Sequence, residues 1–301
     1  SATFLAIENP STDVARYRAG DLDMTNYALP PEQFAKLQKE LPGEVFTTRT
    51  LATYSYELNN KKAPFDNVNV RKALNLSLDR NVITDKVLGQ GQTPTYVFTP
   101  TYIEEGQLIQ QPAYSKEPMA QRNEEAIKLL EEAGYSKANP LKFSILYNTN
   151  ENHKKVAIAA ASMWKANTKG LIDVKLENQE WKTYIDSRRA GRYDAARAGW
   201  NADYNQATTF GNYFLSNSSN NTAKYANPEY DKAIAESYVA TDAEGRAKAY
   251  AKAEEILAKD FGIVPIFNYV NPRLVKPYVK GYSGKDPQDH IYLRNLYIIK
   301  H

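Results

Sequence analysis

Nine residues, Arg197 to Asn205 ("RAGWNADYN"), place a guanidinium, an indole, two amides, a carboxylate and a phenol around three small residues. Such a mixture suits no single face of a helix or strand. It ends a longer stretch, residues 178–205, that also holds Trp181, Arg188 and Arg189 in a strand–helix–strand–loop pattern. Ligands of α/β folds bind where strands deliver their C-terminal ends into loops. A charge left half-paired in a cleft is useful if a ligand supplies its partner. Local features leave two readings open: a binding site, or a surface loop with solvated salt bridges.

Catalytic signatures are missing. The chain has no G-x-S-x-G, no H-E-x-x-H and no P-loop, and "GQGQTP" breaks the dinucleotide fingerprint at its third glycine. His153, His290 and His301 lack metal-ligand spacing. The pairs Glu124-Glu125 and Glu131-Glu132 belong to the polar side of an amphipathic pattern, where a solvated face is expected. No catalytic residue, metal or cofactor is expected.

With 301 residues, 42% of them hydrophobic and 24% charged, the chain can bury one large core or two medium ones. A net charge of +3 with interleaved signs favours neither nucleic acid nor an anionic membrane. The absence of cysteine removes thiol chemistry and disulfides together. The start, "SATFLAIENP", has no signal-peptide pattern, so such a segment is expected to be absent or already removed. Twenty-two tyrosines hint at wet, adaptable binding surfaces.

The elements that must position these residues follow from periodicity. "TDVARYRAG" and "PPEQFAKLQKEL" predict helices, "DLDMT" a short strand, and residues 44–60 one or two strands. "NVRKALNLSLDR" predicts a helix with Val70, Ala73, Leu74, Ser77 and Leu78 on one face, and Asp79 a cap for a second helix ending at Gly89. Residues 92–119, with four prolines, read as a long connection pinned to a surface. "QRNEEAIKLLEEAGY" predicts a helix with a Glu124–Lys128 pair. Then come strand "LKFSILYN", helix "HKKVAIAAASMWKAN", strand "IDVKLENQEW", helix "KTYIDSRRAG" and strand "YDAARAGW". This alternation predicts an α/β lobe. Two further helices, a strand "GIVPIFNYV" and a strand-like tail complete the chain.

Several stretches, among them "VRKALNLSLDRNVI", "LLEEAGY", "NQEWKTYIDSR", "DAARAGWNADYN", "VPIFNYVNPRLVKP" and "RNLYIIKH", carry a specific likeness. Nearly end to end, the chain resembles the C-terminal part of periplasmic oligopeptide-binding proteins, which serve bacterial ABC importers. The resemblance implies a two-lobed α/β periplasmic binding protein fold whose N-terminal part and third domain are missing here. Residues 1–51 and 269–301 would form an incomplete first lobe, and 52–268 the opposite lobe with most peptide contacts.

By the same resemblance, Asp203 binds the peptide α-ammonium, and the backbone of Ala198, Gly199, Trp200 and Asn201 pairs with the peptide main chain. Relatives often carry Cys at the position of Asn201. Arg197 and His153 would meet the C-terminal carboxylate of shorter or longer peptides. Trp181, Trp200, Arg188 and Tyr269 would line pockets and clamp, and Glu57 and Arg189 complete the set. Leu88 stands where relatives have lysine, and Arg189 where they have histidine. The implied partners are short peptides and a membrane permease, with no nucleic acid. The implied state is a monomer, alone or with a missing N-terminal portion, in the periplasm of a Gram-negative envelope. A murein-peptide receptor is the rival within the class, and a peptidase using the same cleft the rival outside it. Half a groove is expected to bind peptide weakly or not at all.

Overall fold

In a computed structural model, which describes residues 1–7, 9–26 and 28–300, the first helices are α1 (Pro10–Ala19) and α2 (Pro31–Glu40). Residues 44–60 then yield one long strand, β1 (Val45–Leu58). After it come α3 (Val68–Leu76), β2 (Thr93–Pro94), α4 (Met119–Glu132), β3 (Leu141–Asn148), α5 (Glu151–Asn167) and β4 (Ile172–Gln179). The chain continues through α6 (Trp181–Arg189), β5 (Ala195–Asn201), α7 (Thr208–Gly211), α8 (Pro228–Val239), α9 (Ala243–Lys259) and β6 (Ile263–Leu274). Six strands form one sheet in the order β2-β6-β1-β5-β3-β4. β3 is parallel to β4 and β5, with α5 and α6 as the intervening helices, while β1 is antiparallel to β5 and β6.

β1 is longer than a usual strand because it serves two packed bodies. Val45–Arg49 pair with Val270–Leu274, beside a core made of Val14, Tyr17, Leu29, Phe34, Leu37 and Leu274. Farther along, Thr53–Glu57 pair with Ile263–Asn268 in a separate core. The register shifts between Arg49 and Thr53, the kind of irregularity that bends a ribbon. A second shift, between Tyr54 and Ser55, falls where Pro265 of β6 cannot donate to the ladder.

Alternation along the strands decides what faces what. Tyr54 and Tyr56 share a face with their β5 partners Gly199 and Arg197, and this face packs beneath α5. There Trp164 is fully buried and donates from Nε1 to the Leu74 carbonyl at 2.9 Å. The other face carries Ser55, Glu57, Ala196 and Ala198; Ala196 packs with Leu146, Tyr184 and Tyr193, and beside them lies a core of Phe98, Phe210, Tyr213, Phe214, Tyr230 and Leu257 with α8 and α9.

Three expectations are corrected. "DLDMT" forms only a single bridge, Met24 to Val275. The strand-like tail continues β6 through Arg273 and Leu274 and bridges at Val275, but beyond that, among the described residues, it pairs only Val279–Lys280 (β7) with Tyr297–Ile298 (β8), because turn residues interrupt any longer ladder. Lys128 pairs with Glu132 at 3.9 Å rather than with Glu124, and Lys72 reaches Glu125 at 2.5 Å. The helix that Asp79 precedes runs as a π-helical turn, Val82–Leu88, closed by Gly89 at φ 62. The 92–119 connection is pinned: buried Glu254 of α9 accepts the N–H groups of Phe98 and Thr99 and, at 2.7 Å, the Thr99 hydroxyl.

Asp242 caps α9, its Oδ1 accepting the Gly245 N–H at 2.7 Å. Asp242→Ala is expected to cost about 1 kcal/mol, a loss of roughly 2 °C in melting temperature by calorimetry.

Candidate functional site

β3 pairs with β5 only at Ala195 and Ala196, whereas β1 follows β5 as far as Asn201. From Arg197 onward, β5 has a strand partner on one side only among the described residues. Arg197, Gly199, Asn201 and Ala202 line a cavity of about 720 Å³ there. An unpaired strand edge beside a cavity is a template for a peptide main chain. The Arg197 carbonyl already accepts the hydroxyl of Tyr184.

One end of the cavity is cationic. Nη2 of Arg197 donates to the Tyr269 hydroxyl at 2.6 Å and Nη1 to Asn148 Oδ1 at 3.4 Å. Its Nε is buried with no hydrogen-bond partner among the described residues. Burial disfavours its charge, and the groups that favour it are the phenols of Tyr269, Tyr54 and Tyr184, not a carboxylate. Gly199 permits this arrangement: a Cβ there would lie 2.9 Å from the Tyr269 hydroxyl and 3.1 Å from Arg197 Nη2.

His153 sits in the first turn of α5, where Asn150 caps the helix by accepting the N–H groups of Asn152 and His153. Burial, reinforced by Arg197, holds the imidazole well below its usual pKa, so the ring is neutral at neutral pH.

Asp203 follows the last residues of β5, next to the lining residue Ala202 but outside the lining itself. Four strand residues past Arg197 carry the chain about 13 Å, to Asn201. The Asp203 side chain is exposed, and Oδ2 accepts from the Thr209 hydroxyl at 3.3 Å. Its carbonyl accepts from Gln288 Nε2 at 3.2 Å, and Gln288 lines the cavity. Trp181, 55% exposed, lines the wall and stacks on Tyr184 with ring centroids 5.9 Å apart. Tyr269 and Leu88 also line it.

Other candidates lie elsewhere. Glu57 is on the opposite sheet face, fully buried, and Arg188 grips it with Nε–Oε2 at 3.1 Å and Nη2–Oε1 at 2.7 Å. The Tyr213 hydroxyl donates to the same carboxylate at 2.6 Å, and the Thr222 hydroxyl donates as well. Strand parity explains the placement: Glu57 is one residue out of phase with Tyr54 and Tyr56. Trp200 also points to that face, donating from Nε1 to Thr209 Oγ1 at 3.1 Å and packing against Tyr213. Arg189 is exposed at the end of α6, outside the cavity lining.

Reasoning from sequence passed over Asn148, Asn150, Gln90, Gln92 and Asn271, amides that line the cavity. "LYNTNENHKK" offered a signal, since Asn148 and Asn150 sit where a parallel strand turns into a helix. The others come from separate loops and strands that only folding brings together.

Residues 1–222 match the family model described as "Bacterial extracellular solute-binding proteins, family 5 Middle". The chain belongs to the family 5 bacterial extracellular solute-binding proteins. This family 5 chain is 96% identical over 301 residues to the periplasmic oligopeptide-binding protein OppA of Haemophilus influenzae, a match spanning all of this chain and 56% of that protein. The crystal structure of Haemophilus influenzae OppA in complex with RPPGFSPFR superposes with a TM-score of 0.94 at 95% identity, over 99% of this chain and 58% of that one. The Escherichia coli murein tripeptide binding protein MppA superposes with a TM-score of 0.92 at 43% identity, over 99% and 58%. The mixed α/β fold is therefore that of the family's periplasmic binding proteins, and the chain spans about half the length of the curated relatives it matches.

Proposed function

We propose that this chain is part of the peptide-capturing component of a periplasmic ABC importer and binds short oligopeptides in extended form. The observation that carries the reading is the free edge of β5 along a cavity lined by Arg197 and His153, with the exposed Asp203 two residues past the end of β5. A receptor for many peptides should read what all peptides share, their termini and amides, and leave side chains to roomy, hydrated pockets. Asp203 takes the α-ammonium, Ala198–Asn201 the main chain, and Arg197 with His153 the C-terminal carboxylate. Trp181 and Tyr269 wall the pockets, while Arg188 and Glu57 stiffen β5 from behind. The near-identical OppA is named for oligopeptides and has a structure in complex with one, which supports this ligand class.

We assign residues 1–51 and 269–301 to one lobe and 52–268 to the other, closing about the irregular crossing of β1 and β6. A permease receives the closed form, and no chemical step on the peptide is involved. Calorimetric titration of tetra-alanine into the chain extended by the additional residues its relatives have should show binding of about micromolar affinity or weaker. Absence of binding at millimolar peptide sinks the reading, and cleavage of the peptide during the titration would replace it with a peptidase.

A murein-peptide receptor is the second reading, favoured by the MppA superposition. Titration with tri-alanine against a murein tripeptide decides between them, the oligopeptide reading requiring the former to bind at least as tightly.

A further inference from the structure

Two polar contacts join parts of the chain that otherwise pack in different cores. α2 buries Phe34 and Leu37 with Val14, Tyr17 and Leu274, whereas α5 buries Val156 and Trp164 with Tyr56, Phe143 and Ile145. Between the two helices, Lys155 Nζ of α5 meets Glu32 Oε2 of α2 at 2.7 Å. Lys36, one turn on from Glu32, pairs instead with Glu40 at 3.6 Å. The second contact lies just ahead of α2, where buried Gln90 donates from Nε2 to the Leu29 carbonyl at 2.8 Å. Ala28, Gln90, Asn152, His153 and Val156 line the cavity, while Glu32 and Lys155 stand outside that lining.

We infer that Glu32 and Lys155 are positioning residues of the groove, whose ion pair forms as the lobes close and raises peptide affinity without touching the peptide. This rests on the two-lobed peptide-groove reading, which puts Glu32 in one lobe and Lys155 in the other.

β1 and β6 run through both cores, and their register breaks between Arg49 and Thr53. A bend at that break changes the distance between helices of opposite bodies and leaves the ladders on either side intact. Two structures of Escherichia coli MppA, each 43% identical over 99% of this chain, superpose unequally: the TM-score is 0.92 for one and 0.81 for the unliganded open form. The present arrangement, with the pair formed, is nearer the former.

The pair is partly exposed, Lys155 38% and Glu32 58%, so its contribution to folding is small. Its leverage is on closure. Where the binding-competent form is a fraction of the free protein, apparent affinity is proportional to that fraction. A contact made only on closure therefore acts on affinity, chiefly through slower dissociation. Removing an exposed pair of this kind should weaken binding about two- to fivefold. Lys155 holds the Glu32 carboxyl below its ordinary range, so the pair is ionised at neutral pH and salt is the lever that weakens it.

A direct field effect predicts otherwise for one variant. Lys155 is two residues from His153, so reversing its charge would repel a nearby peptide carboxylate with or without a closing contact. Glu32→Lys adds positive charge to the same rim and, by field alone, would tighten binding. Acting through the pair, it weakens binding.

The test uses the chain extended by the additional residues its relatives have, as parent, Glu32→Lys, Lys155→Glu and the double exchange. Tetra-alanine affinity is read by calorimetry, dissociation by stopped-flow tryptophan fluorescence, and stability by urea unfolding. Each single reversal should weaken binding about four- to twentyfold with faster dissociation and an unchanged urea midpoint. The double exchange should return to within about twofold of the parent. Glu32→Gln, which adds no repulsion, should lose about two- to fivefold, and that gap should close in about 1 M salt, where the screening length is about 3 Å. A Glu32→Lys protein that binds as tightly as the parent, or more tightly, overturns the inference and leaves the groove reading standing. So does a double exchange no better than the worse single variant, or a loss of affinity that follows a fall in the urea midpoint. A parent that fails to bind at millimolar peptide removes the groove reading and this inference with it.

Discussion

Glu57→Ala should destabilise the protein by about 3–5 kcal/mol in urea unfolding, the range for removing one partner of a buried ion pair. The Glu57 side chain is fully buried and that of Arg188 only 12% exposed. Without the carboxylate, the Arg188 guanidinium keeps only the phenol of Tyr213 among the described residues, and the hydroxyls of Tyr213 and Thr222 lose their acceptor. A pair on the surface would be worth far less, because water and salt screen it. Glu57→Gln retains the shape and part of the hydrogen bonding, so it should fall between. Replacing both partners, Glu57→Leu with Arg188→Met, removes the stranded charge and should recover much of the loss. A Glu57→Ala protein within about 0.5 kcal/mol of the parent, the range of ordinary surface substitutions, would contradict the structural role. The consequence extends to the groove, because Arg188 anchors α6, the helix that carries Trp181 to the cavity wall and Tyr184 to the Arg197 carbonyl.

Asp203→Ala should show the opposite pattern, with stability unchanged and binding lost. The carboxylate is exposed, and its one side-chain hydrogen-bond partner among the described residues, the Thr209 hydroxyl at 3.3 Å, is a weak one, so the fold depends little on it. Once a peptide ammonium pairs with it and the lobes close, the pair leaves water. Stripping one partner then costs about 3–5 kcal/mol, or two to four decades in affinity. The affinity is best read by calorimetry with tetra-alanine, in a chain carrying the additional residues its relatives have. N-acetyl tetra-alanine, lacking the ammonium, should bind the variant and the parent alike. Unchanged affinity for the free peptide would refute the assignment, as would an equal loss for the acetylated one.

These two acids show how far local sequence carries. Glu57 lies in a stretch that reads only as strand and supports β5 from behind, whereas Asp203 lies in the site-like stretch and is exposed past the end of β5. Helix boundaries were more legible: Pro31 starts α2, Asn150 caps α5, and Gly191 follows α6 at φ 68, each a backbone preference expressed within a few residues. β1 was harder, since its unbroken length depends on β6 running beside it through two cores. The tail looked strand-like for its residue types, but strand formation needs a partner in register, and past Val275 only β7 and β8 find one among the described residues.

The sequence by itself determined the α/β alternation, the caps that set the helices, and the concentration of Arg, Trp, Asp and small residues between 178 and 205. These depend on periodicity and on contacts between near neighbours. Only the tertiary structure decided that β3 parts from β5 after Ala196, opening an edge beside the cavity. It also decided that Arg197 meets His153, Tyr54 and Tyr269 while Arg188 turns away to Glu57. The reason is physical: which of two alternating faces covers a cavity depends on what packs against each. At β5 those neighbours come from positions as distant as β1 and β6.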